Sequence, residues 1–298
     1  MTLLNRLFYY GFVIPLSWLP FRVLYVISDG LYYILYHVVG YRKRVVFENI
    51  RNSFPEKTEQ ERTAIAKTFY KHFCDLILES LKTFSISKEG VDERMKVLHA
   101  EVPNRYFEQG RSIVIAGGHY NNWEIFAVAV DHAIKHQAMA IYKPLTNAYF
   151  DKKMQMTRSR YGLKLIHNRK VKENFDAEKD NLTATIFAVD QSPSFHSKPY
   201  WTQFLNQDTA VLTGTEKYAK DYDYPVVFCR ISKVSRGHYT FEFEDLVEHP
   251  RDTKEGEITE LVTRVLEKDI RDNPPYWLWS HRRWKQKRTA ETNGASVN

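Results

Sequence analysis

The chain has 298 residues, with 43 Lys and Arg against 36 Asp and Glu, a formal net charge of +7 and a pI near 9.1. Two isolated cysteines, Cys74 and Cys229, lack CxxC or any metal-ligand spacing, which excludes a disulfide framework and a structural zinc site and fits a reducing compartment. The basic balance favours an anionic partner, and charge alone leaves open a phosphate-bearing lipid surface, an acidic carrier protein and nucleic acid.

Residues 1–44 stand apart. Between Arg6 and Arg42 only Arg22 and Asp29 carry charge, and the stretch is crowded with Phe, Tyr, Trp, Leu, Val and Ile. Pro15 and Pro20 divide it into segments around Leu7 to Trp18 and Phe21 to Val39, so neither is an uninterrupted apolar run of about 20 residues. Tyr9, Tyr10, Trp18, Tyr32, Tyr33 and Tyr36 suit helices lying at the headgroup level, and Arg42-Lys43-Arg44 follows as a juxtamembrane basic cluster. A transmembrane helix and a hydrophobic helical hairpin buried in a soluble protein are the other readings of the same residues. No small-residue cleavage site of the signal-peptide kind is evident.

Behind this segment, residues 45–285 read as one α/β domain, and 286–298 as a loose polar tail. Helices are predicted at 43–52 and 57–86, the second opening with Thr58-x-x-Glu61 as a capping box. Strands are predicted at 112–116, 138–142, 163–166, 183–189, 225–232 and 239–245. They alternate with helices at 122–135, 148–161, 170–180, 210–222 and 255–272, the spacing of a mostly parallel sheet covered on both faces. The last two strands, joined through Ser235-Arg236-Gly237, predict a hairpin and hence a mixed sheet.

Chemistry enters at Gly117-Gly118-His119-Tyr120-Asn121-Asn122-Trp123-Glu124, just past the apolar run Ser112 to Ala116. With 11 His and 36 acidic residues, about one His-x4-acid pair is expected by chance, so context must carry the assignment. In isolation the pair also reads as a loop histidine and a carboxylate serving the helix dipole. The context is the carboxyl end of a buried strand, where open α/β folds gather their sites; the two glycines permit close backbone approach, and Asn121 or Asn122 caps a helix whose first turn holds Glu124. This predicts a base with a carboxylate to orient it. Asp190, beside Gln191, follows the apolar run Ala184 to Val189 and shares that end of the sheet; a turn-capping carboxylate is its bland alternative. Lys143, Arg158, Arg160, Lys164, Arg169 and Lys170 supply guanidinium and ammonium groups suited to phosphate or a developing oxyanion, or simply to a solvated surface. Pro275 to Lys285 combines three Trp with three Lys and Arg side chains and His281, a mixture expected at a membrane interface or on a nucleic-acid surface. No GxSxG elbow is present, so a serine hydrolase lacks its nucleophile signal.

These blocks together resemble the lipid A biosynthesis acyltransferases of the lauroyl and myristoyl type, within the wider lysophospholipid acyltransferase group. The likeness runs over nearly the whole chain. It takes in the hydrophobic amino terminus, the Tyr41-Arg42 to Phe54-Pro55 block, Gly118-His119-x4-Glu124, Tyr142-Lys143-Pro144 with Asn147, and Arg169 in a basic loop. Asp190-Gln191, the Phe204 to Thr213-Gly214-Thr215 segment and the closing Tyr276 to Trp284 block complete it.

The resemblance implies transfer of an acyl chain from an acyl-carrier-protein thioester, or from CoA, to a hydroxyl of a lipid A precursor at the cytoplasmic face of a bacterial inner membrane. An aminolipid or lysophospholipid is the alternative acceptor. The alternative of another class is a non-catalytic basic protein bound to membrane or nucleic acid. His119 is expected as general base, with Glu124 fixing its tautomer. Asp190 occupies a family position without an assigned role, and Arg169 or backbone N–H groups near Gly117 and Gly118 are the expected oxyanion partners. Lys143 joins them as a phosphate contact, and Asn147, Gln191, Arg282, Arg283 and Trp284 are expected at the substrate or the interface. No metal, no cofactor and no nucleic acid is expected.

Overall fold

The computed structural model describes residues 2–194 and 199–288. The apolar amino terminus forms α1 (Thr2–Phe8) and α2 (Ile14–Trp18), joined by a π-helical turn. After a break at Leu19–Pro20 comes α3 (Phe21–Tyr33), which continues as a π-helix through Val39. No single helix is long and apolar enough to cross a membrane, and the two arms, Leu3–Trp18 and Phe21–Val39, are bent by 116° at the break. Pro20 sets that break: with no N–H to continue the old helix it stands extended, at ψ 145°, as the N-cap of the new one.

The hairpin is apolar on its outside. Leu4, Trp18, Val26 and Val38 are each about 70 % exposed. Its inner side is docked by polar contacts: Tyr25 donates to Glu79 Oε1 (2.9 Å), Ser28 to Asp75 Oδ1 (2.7 Å), and the Arg236 guanidinium meets Asp29 and Asp75 at 2.7 Å each. The charge of Asp29, which interrupts the apolar run, is therefore spent on fastening the hairpin to the body.

The body follows as α4 (Lys43–Ser53), α5 (Glu59–Lys82), α6 (Lys88–Arg94), β1 (Met95–Leu98), α7 (Glu101–Glu108), β2 (Ile113–Gly117), α8 (Trp123–Ala133) and β3 (Gln137–Tyr142). Next come α9 (Ala148–Arg158), β4 (Lys164–His167), α10 (Val171–Ala177), β5 (Thr183–Ala188), β6 (Tyr200–Phe204) and β7 (Gln207–Val211). The chain closes with α11 (Gly214–Tyr222), β8 (Val226–Ser235), β9 (His238–Val247) and α12 (Glu257–Asp272). The capping box forms as expected, with Thr58 and Glu61 exchanging bonds at the start of α5.

Seven strands make a mixed sheet in the order β1-β9-β8-β2-β5-β3-β4, parallel from β8 to β4. β9 is antiparallel to β8, completing the predicted hairpin. Its turn needs Gly237, at φ +77°, where a Cβ would lie 1.7 Å from the Tyr25 hydroxyl. Because β2 is buried on both faces, alternate residues feed two cores. Val114 and Ala116 pack with α4, α5 and α12, and Ile113 and Ile115 with the side that carries α8.

Three expectations change. The 87–111 stretch, left unassigned by periodicity, holds α6, β1 and α7. The helix expected from 210 starts at Gly214, because Gln207–Val211 pairs with β6 across a tight turn at Leu205 and Asn206, both with positive φ. The helix expected to run to 86 stops at Lys82. Of the polar tail, Gln286 is tied to the Pro193 carbonyl (2.7 Å) and Arg288 lies 3.9 Å from Asp208; 289–298 lies outside the described residues.

Candidate active site

β2 and β5 are parallel neighbours whose register aligns Gly117 with Ala188. Two residues beyond each, His119 and Asp190 emerge side by side at the carboxyl ends of the strands. His119 Nδ1 lies 2.8 Å from Asp190 Oδ1, and the His119 backbone N–H donates to Asp190 Oδ2 at 2.8 Å. Trp277 Nε1 donates to the same Oδ2 at 2.9 Å. Asp190 is 4 % exposed, whereas the His119 side chain retains 21 %. Burial opposes the charge on Asp190, but the His119 ring, the Trp277 indole and the His119 amide outweigh it and hold the carboxyl at about 2. Burial likewise opposes charge on His119; Asp190, with a smaller contribution from Glu124, overcomes it and raises the imidazole above its ordinary value. With Nδ1–H given to an ionised carboxylate, Nε2 is the free basic nitrogen, and the Gln191 side-chain amide stands 3.3 Å from it.

Glu124 does not orient His119. Asn122 caps α8 through Oδ1, accepting from Ile125 N–H at 2.9 Å, so Glu124 falls in the first turn. There it faces Arg158, the last residue of α9, which grips it with two bonds of 2.6 and 3.0 Å, and the Trp123 indole adds a third at 3.2 Å. The spacing predicts a Glu124–His119 pair; in the structure Glu124 bonds Arg158 and the carboxylate on the imidazole is Asp190, just past β5.

His119 and Arg158 both line an otherwise mainly apolar cavity of about 150 Å³ beneath α8, with Phe126, Ala140, Leu165 and Ile186 among its walls. The Trp123 ring meets the imidazole edge-on at 5.2 Å. Gly118 lets the backbone before His119 run close to Leu266 and Asp190, since a Cβ there would lie 2.7 Å from Leu266 Cδ1 and 3.4 Å from Asp190 Oδ2.

Other expected residues fall elsewhere. Arg169 is exposed in the loop after β4, and Lys143 is exposed just past Tyr142. Asn147 caps α9, accepting from the N–H groups of Tyr149 and Phe150 at 3.1 and 3.3 Å. Arg282 is exposed, while Arg283 is buried at 2 % exposure and Trp284 donates to Thr209 Oγ1 at 2.7 Å. The Trp-rich closing segment is thus no lipid-facing belt. Trp277 and Trp279 are 1 % and 0 % exposed, and the segment brackets the His119 loop through an isolated bridge between Tyr120 and Trp277 and an Asn121 N–H to Tyr276 carbonyl bond of 3.0 Å. Sequence reasoning assigned no partner to Trp277; its place beside the basic cluster suggested an interface, and nothing local shows that the indole returns to Asp190. Among the described residues no group of three or more His, Cys, Asp or Glu is arranged around a metal site.

Comparison with known proteins agrees in length and order. Residues 3–286 match the family described as bacterial lipid A biosynthesis acyltransferase. A lipid A biosynthesis acyltransferase of Haemophilus influenzae is 23 % identical over 280 residues, 92 % of this chain and 88 % of its own. A lipid A biosynthesis lauroyltransferase of Escherichia coli K12 is 22 % identical over 269 residues (90 % and 87 %), and a palmitoleoyltransferase of the same organism 20 % over 279 (92 % and 89 %). The chain belongs to the bacterial lipid A biosynthesis acyltransferase family and is an acyltransferase.

Proposed function

We propose that the protein moves a fatty acyl chain from an acyl-carrier-protein thioester to a hydroxyl of a lipid A precursor at the cytoplasmic face of a bacterial inner membrane, with His119 as general base. The observation that carries this reading is His119, paired with Asp190 through Nδ1, on the wall of a mainly apolar cavity: a base beside space suited to hydrocarbon. The names of the relatives in Haemophilus influenzae and Escherichia coli support the acceptor class.

In this mechanism the acceptor hydroxyl replaces the Gln191 amide at Nε2. Its proton passes to Nε2 as its oxygen attacks the thioester carbonyl carbon. Asp190 stays ionised, holds the tautomer and stabilises the imidazolium. When the tetrahedral intermediate collapses, the C–S bond breaks and the thiolate takes the proton from Nε2–H, leaving an ester and a free thiol. Arg158 replaces Arg169 as the oxyanion partner, because it lines the cavity and Glu124 fixes its fork. Glu124 then acts on Arg158 and only through space on His119. The exposed apolar side of the amino-terminal hairpin lies in the membrane interface and brings the site to its lipid acceptor.

The test is transfer of a labelled acyl group from carrier protein to a lipid A precursor by the purified protein in mixed micelles. Ester formation by the wild type and its loss in His119→Ala are expected. Transfer at the wild-type rate by His119→Ala would refute the base assignment. Lipid mass spectrometry of cells with and without the gene names acceptor and chain length; a missing acyl group on an aminolipid or phospholipid would overturn the lipid A acceptor.

A further inference from the structure

Arg283 is 2 % exposed, yet its Nε and Nη1 find no hydrogen-bond partner among the described residues. A guanidinium buried without such bonds destabilises a fold relative to an apolar side chain of similar volume, so scaffolding alone does not account for it. Its surroundings are specific. Arg283 and Asp190 line one small cavity of about 10 Å³, otherwise walled by Val189, Phe204, Val211, Thr263 and Leu266. Of these neighbours only Asp190 carries a charge. The donors on Asp190 are the Trp277 indole, the His119 amide and the His119 ring, all neutral while His119 awaits its proton. These hydrogen bonds favour the ionised carboxylate, and the Arg283 cation in the same pocket adds to them whether or not His119 holds its proton.

We infer that Arg283 is a positioning residue for the acyl transfer, a buried counter-charge that keeps Asp190 ionised and thereby keeps the His119 imidazole in the tautomer with Nε2 free. The inference rests on the His119 base reading and adds a residue to it. Burial lowers the guanidinium to about 10 and Asp190 opposes that fall, so the side chain remains a cation at neutral pH. The other charged or titratable groups facing this pair are Glu124 and Arg158 from α8 and α9, and His281 from the closing segment, itself held below its ordinary value by burial. Lys285 faces His281 from the same segment.

The experiment compares kcat, KM and the pH profile of kcat/KM for Arg283→Met, Arg283→Lys and Asp190→Asn in the full chain. Arg283→Met is expected to lower kcat at least tenfold with KM within about twofold, and to move the acid limb to lower pH, in the direction of Asp190→Asn, as Asp190 loses the cation that favours its ionised form. Arg283→Lys, which keeps the charge, should restore the limb. If Arg283→Met does not fold, Arg283→Gln is read in its place. An acid limb unmoved in the neutral variants, with only a lowered melting temperature, would reduce Arg283 to a structural role. Should Asp190→Asn also leave the limb in place, the base reading fails and the inference with it; a limb shifted by Asp190→Asn but not by Arg283→Met overturns the inference alone.

Discussion

His119 Nδ1 and Asp190 Oδ1 stand 2.8 Å apart although 71 residues separate them in the chain. The register of β2 against β5 brings them together, Gly117 opposite Ala188, so each side chain leaves its strand end at the same height. Strand order thus builds the dyad, and its electrostatics follow from burial.

The first consequence concerns catalysis by the dyad. Asp190→Asn preserves shape but removes the charge that selects the tautomer, and kcat is expected to fall by roughly 10³–10⁴. His119→Ala should lose about 10²–10⁴. The double variant should cost little more than the worse single one, because the two act as a unit; steady-state rates with carrier-bound donor check this.

The pH dependence has a definite sign. In the proposed mechanism the working base is neutral His119, whose pKa is raised above 6.5, so kcat/KM should climb with pH through a limb centred above 6.5. Asp190→Asn withdraws the carboxylate that stabilises the imidazolium, and the limb should move to lower pH. A limb that moved up, or stayed, would contradict the pairing.

Stability should carry the same signature. Asp190 is lowered from 3.8 to about 2, so its ionised form stabilises the fold above pH ~4, and that contribution, on the order of 2 kcal/mol, disappears as pH falls from ~4 to 2. His119 is raised, so its contribution is complete below pH 6.5 and fades as pH climbs through its folded value. Chemical denaturation of wild type and Asp190→Asn should therefore differ most between about pH 4 and 6.5 and converge towards pH 2.

Glu124 and Arg158 should separate from the dyad in a double-mutant cycle. Breaking their part-buried, twofold-bonded pair by Glu124→Gln or Arg158→Met is expected to cost about 1–3 kcal/mol of coupling between the two, measured by thermal or chemical unfolding. Coupling of Glu124 to His119 should be smaller than that of Asp190.

The cavity and the hairpin make a further pair of expectations. Ala140→Phe places a ring in the 150 Å³ cavity and should bias transfer towards shorter acyl chains, read from product mass spectra with donors of graded length. Val26→Glu with Val38→Glu, both at exposed positions, should release the protein from anionic vesicles in flotation with little change in melting temperature.

Much of this protein was legible locally. Alternating apolar runs located six of the seven strands of the main sheet, Thr58 and Glu61 marked the start of α5, and the Arg236-Gly237 turn announced the β8–β9 hairpin. What escaped were short elements with little apolar periodicity, such as β1, and the β6–β7 hairpin, whose strands pair with each other apart from the main sheet. At the site, the strand-end positions of His119 and Asp190 were readable because buried strands are apolar and their ends are not. Glu124 was assigned to the nearer histidine because spacing measures distance along a chain, and the side chain instead follows the helix that carries it.

The sequence by itself determined the chemical inventory: a histidine, two carboxylates and guanidinium groups at strand ends, an apolar amino terminus, and the order of blocks that marks the family. Only the tertiary structure decided the pairings, which carboxylate serves the imidazole, which arginine lines the cavity, that Trp277 and Arg283 turn inward, and that Asp29 fastens the hairpin. The physical reason is that hydrogen bonds and buried charges act over about 3 to 6 Å. That proximity is set here by strand register and by helices docking across the sheet, between residues 34 to more than 200 positions apart.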